Sequence, residues 1–121
     1  MIRWFKRHRA VGSYFWRLSQ ELSHRFGRKN YYSVAEVSRA AQEKNFNMAF
    51  IAYAHAMFCS RGDFDAYYGS LRLACTYDGL REVVARRFFS GAMGFDALNI
   101  LIRAGSPMER EYAFDQSAPT D

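Results

Sequence analysis

The residues best suited to chemistry in this sequence are a histidine and a cysteine four positions apart, His55 and Cys59. Side chains at this spacing lie on the same face of a helix, and a paired imidazole and thiol form either an activated nucleophile or half of a zinc site. The flanking residues are Ala, Met, Phe and Ile, whereas a reactive thiolate needs an accessible, electropositive setting. We therefore expect both side chains to be buried, and a thiol-based enzyme or redox sensor using this pair is the alternative.

Metal and cofactor chemistry has little support in the sequence. A zinc site built on this pair would need two more ligands, and His8, His24 and Cys75 stand in no metal-ligand spacing with it. No glycine-rich loop of the phosphate-binding kind is present. We expect no catalytic residues, no metal site and no cofactor. Both cysteines lie in apolar segments, which favours reduced, buried thiols, with a disulfide between them as the alternative.

The positive charge of the chain is concentrated in its first quarter. Residues 1–29 carry eight Lys or Arg and one acid, whereas residues 30–121 carry nine Lys or Arg and eleven acids, so the two segments have formal charges of +7 and −2. The basic residues are mostly Arg, which suits bidentate contacts with phosphate or carboxylate. A GC-rich genome, which encodes Arg by default, explains the same bias equally well.

The spacing of apolar residues predicts a basic helix over about residues 2–26. Residues three or four positions apart would form one narrow stripe facing the core: Trp4, His8, Val11, Phe15, Leu18 and Leu22. The arginines fall outside this stripe. Gly12 and Ser13 predict a kink or a break in the helix, and Gly27 predicts its end.

The basic and aromatic side chains of this helix form the candidate binding surface: Arg3, Lys6, Arg7, Arg9, Arg17, Trp4 and Trp16. In one interpretation the arginines are only solvated, or paired with the acidic C-terminal end, while the apolar stripe packs on the other helices. In a second, arginine with interleaved aromatics binds nucleic acid. In a third, the same pattern lies on an anionic membrane surface.

The middle of the chain contains clear helix signals. Ser33 and Glu36 form a capping box that begins a second helix, and Asn45, which tolerates the left-handed conformation, follows its end. A third helix is predicted over about residues 47–60. It is apolar nearly all round, which is typical of a central, buried helix.

Further short helices are predicted after this point. Asp63 and Asp78 are the expected N-caps of a fourth helix to about Tyr77 and a fifth to about Phe89. The inward side chains of the fifth helix include Leu80, Val83 and Val84. A sixth helix is expected over about residues 95–104. Pro107 begins a final helix to about Phe114.

These patterns predict an all-α fold, a compact bundle of about five to seven short helices. We expect a single helical domain over residues 1–114 and a disordered acidic tail over residues 115–121. No stretch approaches the ~18 apolar residues of a membrane span. No export signal is recognised in the first residues, so a cytoplasmic protein is expected.

Two resemblances bear on function. Residues 32–41 resemble the first helix of a DNA-binding helix-turn-helix, but the turn glycine is absent and the next helix offers apolar side chains where base-reading ones are needed. The chain as a whole resembles small uncharacterised bacterial proteins of about this length, through the span from Tyr31-Tyr32-Ser33 past Cys59 to Phe64-Asp65-Ala66. This second resemblance implies no activity.

The sequence therefore favours a non-enzymatic cytosolic domain that binds another macromolecule through its basic first helix. A protein is the expected partner, with nucleic acid or an anionic membrane as alternatives. A homo-oligomer is also possible, in which the stripe from Trp4 to Leu22 would pair with a second copy of itself.

Overall fold

The computed structural model describes residues 2–69 and 76–105, and within those residues it contains six helices and no strand. The first helix has three consecutive parts, which are α1 (Ile2–Ser13), a π-helical segment (Tyr14–Leu18) and α2 (Ser19–Phe26). The other five are α3 (Val34–Glu43), α4 (Ile51–Phe58), α5 (Arg61–Gly69), α6 (Tyr77–Phe88) and α7 (Ala97–Gly105). The predicted all-α bundle is confirmed.

The first helix is continuous over residues 2–26, as predicted, and most of its length lies in the core. Its second half packs against α3 and α7. Gly27, at a φ of +85°, ends the helix in the way expected of a C-terminal glycine. The apolar side chains that this helix buries completely or almost completely are Val11, Tyr14, Phe15, Leu18 and Leu22.

The helix does not break at Gly12 and Ser13, which both lie in α1, and a π-helical segment follows directly after them. The backbone N–H of Ser19 donates to the carbonyl of Tyr14, five residues earlier, which defines the π-helical pattern. Just before it, the Ser13 hydroxyl donates to the carbonyl of Ala10 at 2.7 Å. Because a π-helical turn holds more residues than an α-helical turn, side chains of α1 are rotated relative to those of α2.

The predicted apolar stripe is wrong at its start for this reason. Phe15 and Leu22 are buried as expected, but Trp4 is 52% exposed. The stripe assumed the α-helical period throughout, and the π-helical turn, together with the projection of the first two helical turns from the bundle, leaves Trp4 at the edge. Tyr14 lay outside the predicted stripe, yet it is fully buried and its hydroxyl donates to the carbonyl of Asn47.

The predicted start of α3 is confirmed in detail. The Glu36 N–H donates to the Ser33 hydroxyl, and the Ser33 N–H donates to the Glu36 carboxylate, both at 3.0 Å, so the capping box is complete. Asn45 follows the helix at a φ of +60°, in the left-handed region.

The third predicted helix begins later than expected, because turns occupy its first residues. The Asn47 side-chain oxygen accepts the N–H of Ala49 at 2.8 Å, and the N–H of Ile51 donates to the carbonyl of Met48 at 3.3 Å. Helix α4 therefore starts at Ile51. It is buried over residues 54–58, which confirms that the apolar helix is central.

The two aspartates predicted as N-caps do not hold that position. Ser60 and Thr76 hold it instead, since each side-chain oxygen accepts the backbone N–H three residues later, at 3.2 Å and 3.0 Å. Asp63 and Asp78 lie inside the first turns of α5 and α6. A carboxylate there is favoured by the helix dipole, which explains the acidic residue without a capping role.

Helix α7 begins at Ala97, two residues later than predicted. Asp96 and Asn99 cap it reciprocally, each side-chain oxygen accepting the other's backbone N–H at 2.9 and 3.0 Å. The N–H of Ala97 donates to the carbonyl of Asn30 at 3.0 Å. The loop after α2 therefore holds the first turn of α7 in place.

Several predictions fall on residues that the structure does not describe. The part of the predicted fourth helix beyond Gly69 and the state of Cys75 lie within residues 70–75. The final helix to about Phe114 and the acidic tail at residues 115–121 both lie beyond Gly105, the last described residue. The single-domain boundary at residue 114 therefore stays a prediction.

Among the described residues, one arginine is buried in the core. Arg81 of α6 donates to the carbonyl of Ala56 at 2.9 Å, to that of Met93 at 3.1 Å and to that of Phe95. Ala56 lies in the last turn of α4, where carbonyls have no partner within the helix. The guanidinium also lies over the rings of Tyr77 and Phe95. Arg81 thus joins the end of α4, α6 and the loop before α7.

Replacing Arg81 with alanine should destabilise the fold by about 3 kcal/mol, because buried carbonyls lose their donors. Lysine at this position should recover only part of that loss, since a single ammonium cannot span three acceptors. Urea unfolding followed by circular dichroism measures both. Arg39→Ala, at an exposed position on α3, is the control and should change stability by less than about 0.5 kcal/mol. A loss below about 1 kcal/mol for Arg81→Ala would contradict the anchoring role.

Candidate functional site

The first helix has two environments, and the candidate binding residues lie mainly in the exposed one. From Ala10 onward the helix is largely buried, whereas its first two turns project into solvent. Trp4 and Phe5 are 52% and 56% exposed. Three of the predicted basic residues are exposed beside them: Arg3, Lys6 and Arg9.

Two members of the predicted surface lie elsewhere. The Arg17 guanidinium stacks over the ring of Phe46, 4.9 Å from its centroid. Trp16 is half-buried and packs edge-on against Phe15 and Phe88. These contacts are structural, so Arg17 and Trp16 do not join the exposed end of α1.

A groove between α1 and α6 brings two of the candidates, Trp4 and Arg7, together with residues from the second half of the chain. Its volume is about 340 Å³. Helix α1 contributes Trp4, Arg7, His8 and Val11, and helix α6 contributes Glu82, Val83, Arg86 and Arg87. The groove therefore combines apolar and cationic side chains.

The apolar part of the groove is formed by both helices. Val11, which is almost completely buried, lines the groove from α1, and Val83, which is 37% exposed, lines it from α6. The indole of Trp4 stacks on the imidazole of His8, with centroids 4.8 Å apart. Burial lowers the pKa of His8, and the neighbouring Arg87 and Arg7 lower it further, so the imidazole is neutral at pH 7.

Arg87 forms a fixed wall of the groove. Its guanidinium donates to the carbonyl of His8 at 2.7 Å and lies over the Phe88 ring, 4.8 Å from the centroid. Gly12 permits this approach, because a β-carbon there would lie 2.9 Å from the guanidinium. Desolvation lowers the pKa of Arg87. Because the ordinary pKa of an arginine is far above 7, the guanidinium stays cationic.

The rim of the groove carries a net positive charge. Arg86 pairs with Glu82 at 2.6 Å, one helical turn away, and both side chains are more than half exposed. Among the described residues Arg7 has no ion pair. Three arginines and one glutamate leave a surface that favours carboxylate or phosphate groups.

The sequence interpretation missed the contribution of α6 to this site. It assigned Val83 to the inward face and placed the basicity in residues 1–29, whereas Val83, Arg86 and Arg87 face the groove. The sequence does contain a signal for a shared face. Val83 stands three residues before Arg86 and four before Arg87, and this spacing places the three side chains on one face of a helix.

The second candidate, the pair of His55 and Cys59, is buried in the core. His55 is 1% exposed. One ring nitrogen bonds to the Ser38 hydroxyl at 2.8 Å, and the other bonds to the Tyr68 hydroxyl. Both imidazole nitrogens are therefore occupied, and His55 links α3, α4 and α5.

Cys59 is a free, fully buried thiol. Burial raises its pKa to about 12, and the charges of Asp63 and Glu36 add to the effect. Burial lowers the pKa of His55 to about 4. The predicted burial of this pair is confirmed, and the shifts keep both groups neutral at pH 7.

The described residues contain no group of three or more His, Cys, Asp or Glu placed to hold a metal ion. Within the same ranges, no helix combines the length and the apolar character that crossing a membrane requires.

The buried imidazole predicts a pH-dependent stability. An unfolded histidine titrates near 6.5 and the folded His55 near 4, so only the unfolded chain gains a proton between these values. The free energy of unfolding should therefore fall as the pH drops from 6.5 to 4, by about 3 kcal/mol in total. Urea unfolding at pH 7, 6 and 5 measures the slope.

His55→Gln should flatten this profile between pH 6.5 and 5, whereas His24→Gln, at an exposed position on α2, should leave it unchanged. Equal slopes for the wild type and His55→Gln would show that His55 is not the group responsible.

The buried thiol predicts low reactivity. In a Cys75→Ser background, native Cys59 should react with a disulfide reagent at pH 7.5 at least about 100-fold more slowly than in the same protein unfolded in guanidinium, because the thiolate fraction falls tenfold for each unit by which the pKa rises. Absorbance of the released thiol follows both reactions. Comparable rates would favour the thiol-enzyme alternative.

Comparisons with known proteins identify a family but no characterised relative. Neither the curated proteins nor the solved structures gave a match. A family model does match, over residues 2–115, and its description is a family of unknown function, DUF6559. The resemblance to uncharacterised proteins is therefore confirmed. The chain belongs to DUF6559, a family whose function is unknown.

Proposed function

We propose that this protein is a non-enzymatic domain that acts in the cytosol by binding another protein through the exposed start of its first helix. The observation that carries the proposal is the exposure of Trp4 and Phe5, 52% and 56%, on a helix that is otherwise a main part of the core. Aromatic and arginine side chains contribute most of the binding energy in protein interfaces.

The position of these residues supports the proposal. From Ala10 onward the helix is held by the bundle, so its first two turns are presented on a rigid support. Rigid presentation lowers the entropy that binding would cost. The adjacent cations Arg3, Lys6 and Arg9 are exposed, and within the described part of the chain none of them has an ion pair.

The environment of the strongest catalytic candidate supports a non-enzymatic role. His55 uses its two ring nitrogens in hydrogen bonds with Ser38 and Tyr68, and Cys59 is buried with a pKa raised to about 12. A free, buried thiol also suits a reducing compartment.

A second candidate function is binding to an anionic surface, and the same exposed residues favour it. Trp and Phe beside Lys and Arg are typical of helices that lie on anionic membranes, and exposed rings also stack on nucleic-acid bases. Self-association through the whole stripe from Trp4 to Leu22 has little support, because Phe15, Leu18 and Leu22 are buried within the chain itself.

Site-specific photo-crosslinking in the native cells tests the protein-binding function. A benzophenone amino acid replaces Phe5 in one variant and Ile102 in the other, two positions that are each 56% exposed. Position 5 should give a discrete protein adduct identified by mass spectrometry, and position 102, on α7, should not. Lys6→Glu with Arg9→Glu should remove the adduct, because these substitutions reverse the adjacent charge.

Equal adducts at both positions, or an adduct that survives the charge reversal, would contradict the proposal. Titration of the purified protein with duplex DNA, single-stranded RNA and phosphatidylglycerol vesicles across salt decides between the candidates. Saturable binding to one of these probes, lost in the same charge-reversed variant and without a protein adduct, would replace the protein partner with the anionic surface.

A further inference from the structure

We propose that the groove between α1 and α6 binds an acidic peptide segment, which inserts one apolar side chain beside Trp4 and Val83 and places flanking carboxylates on Arg7 and Arg86. The proposal rests on the proposed function, because it names the chemistry of the protein partner at the same end of α1. It adds α6, which shares the site with α1.

The size and lining of the groove fit a side chain. Its volume of about 340 Å³ is at the small end of the range for ligand sites, which is roughly 300–1,000 Å³. Val11, Val83 and the Trp4 indole all line it. These surfaces are apolar, so an aliphatic or aromatic group entering the groove removes apolar area from water on both partners.

The charges around the apolar centre fit carboxylates. Arg7 lines the groove from α1, and Arg86 lines it from α6. A guanidinium binds a carboxylate with two parallel hydrogen bonds. This geometry selects a negatively charged peptide and fixes its orientation. An apolar residue with acidic neighbours therefore complements the groove in both apolar surface and charge.

Part of the site is already held in its binding geometry. Arg87 is hydrogen-bonded to the His8 carbonyl at 2.7 Å, and its guanidinium lies against Gly12. The His8 ring is stacked on Trp4 at 4.8 Å, which orients the indole. A peptide would therefore meet formed walls, and less ordering would oppose its binding.

Nucleic acid fits this groove less well than a peptide does. Glu82 lies at the rim and pairs with Arg86 at 2.6 Å, so one of the three arginines is already partly neutralised. Strong nucleic-acid binding also needs many cations along a track, whereas this groove has three arginines around an apolar centre.

The test uses three synthetic dodecapeptides as probes. The first has one central leucine flanked by two glutamates on each side, in a glycine and serine background. The second replaces the leucine with glycine, and the third replaces the glutamates with glutamine. Binding is followed through the fluorescence of Trp4 in the full chain carrying Trp16→Phe, which leaves Trp4 as the only indole.

The leucine peptide should bind with a dissociation constant in the micromolar range, and each of the other two at least tenfold more weakly. Arg86→Gln and Val83→Asp should each weaken binding tenfold or more, whereas Arg39→Gln on α3 should not. Glu82→Gln should tighten binding a few-fold, because it removes a repulsive charge and frees Arg86. Glu43→Gln is its matched control and should have no effect. Circular dichroism confirms that each variant is folded.

Equal binding of the leucine and glycine peptides would overturn the proposal, because attraction would then depend on charge alone. Wild-type peptide affinity in Arg86→Gln and Val83→Asp would also overturn the proposal. The same holds if duplex DNA displaces the bound peptide at a lower concentration than the peptide needs to displace bound DNA. Lack of peptide binding together with a persistent protein adduct at position 5 would remove the groove and leave the proposed function. Loss of both would remove both.

Discussion

The constraint on which the structure depends is that its most basic helix is also a central helix of its core. Tyr14, Phe15, Leu18 and Leu22 are all completely buried on this one helix, so its cations must lie at its ends or on its narrow solvent-facing side. The structure uses all of these places. Arg17 covers the Phe46 ring, Arg25 pairs with Glu21 and Glu43 at 2.7 and 2.5 Å, and the cations before Ala10 extend beyond the bundle. The exposed basic end of α1 therefore follows from the burial of the rest of the helix.

Among the described residues, four arginines of α1 and α6 differ in their physical roles. Arg81 is buried and donates to backbone carbonyls, with no ion pair to a carboxylate within the described residues. Arg87 is held against α1 and forms a wall of the groove. Arg7 and Arg86 line the rim of the groove, where they meet solvent. A planar group with five donors can do each of these things, whereas the compact ammonium of lysine suits only the last. The excess of Arg over Lys therefore has a structural explanation beside the compositional one.

Local signals in the sequence predicted local structure well. The Ser33 capping box, the end of the first helix at Gly27 and the left-handed Asn45 need only neighbouring residues, and all three are confirmed. The burial of His55 and Cys59 followed from their apolar flanks. The predicted N-caps were wrong where an Asp lies in the first turn of a helix and a Ser or Thr lies just before that helix. Ser, Thr and Asp are all favoured at the N-cap, and Asp is also favoured in the first turn, so the sequence fits both arrangements. The groove could not be predicted, because it depends on how α6 lies beside α1. The spacing of residues within one helix shows which side chains share a face, but it does not show which other helix that face meets.

The π-helical segment has a consequence for how such a groove can arise or disappear. A helix that keeps the α period turns by about 100° for each residue. Loss of a single residue within Tyr14–Leu18 would restore that period and rotate the whole of α1 by roughly a quarter of a turn about its axis. Trp4 and Arg7 would then face away from α6, although neither residue had changed and the core beyond the segment kept its side chains. The length of this segment therefore sets which side chains of α1 face α6, independently of the residues at the rim of the groove.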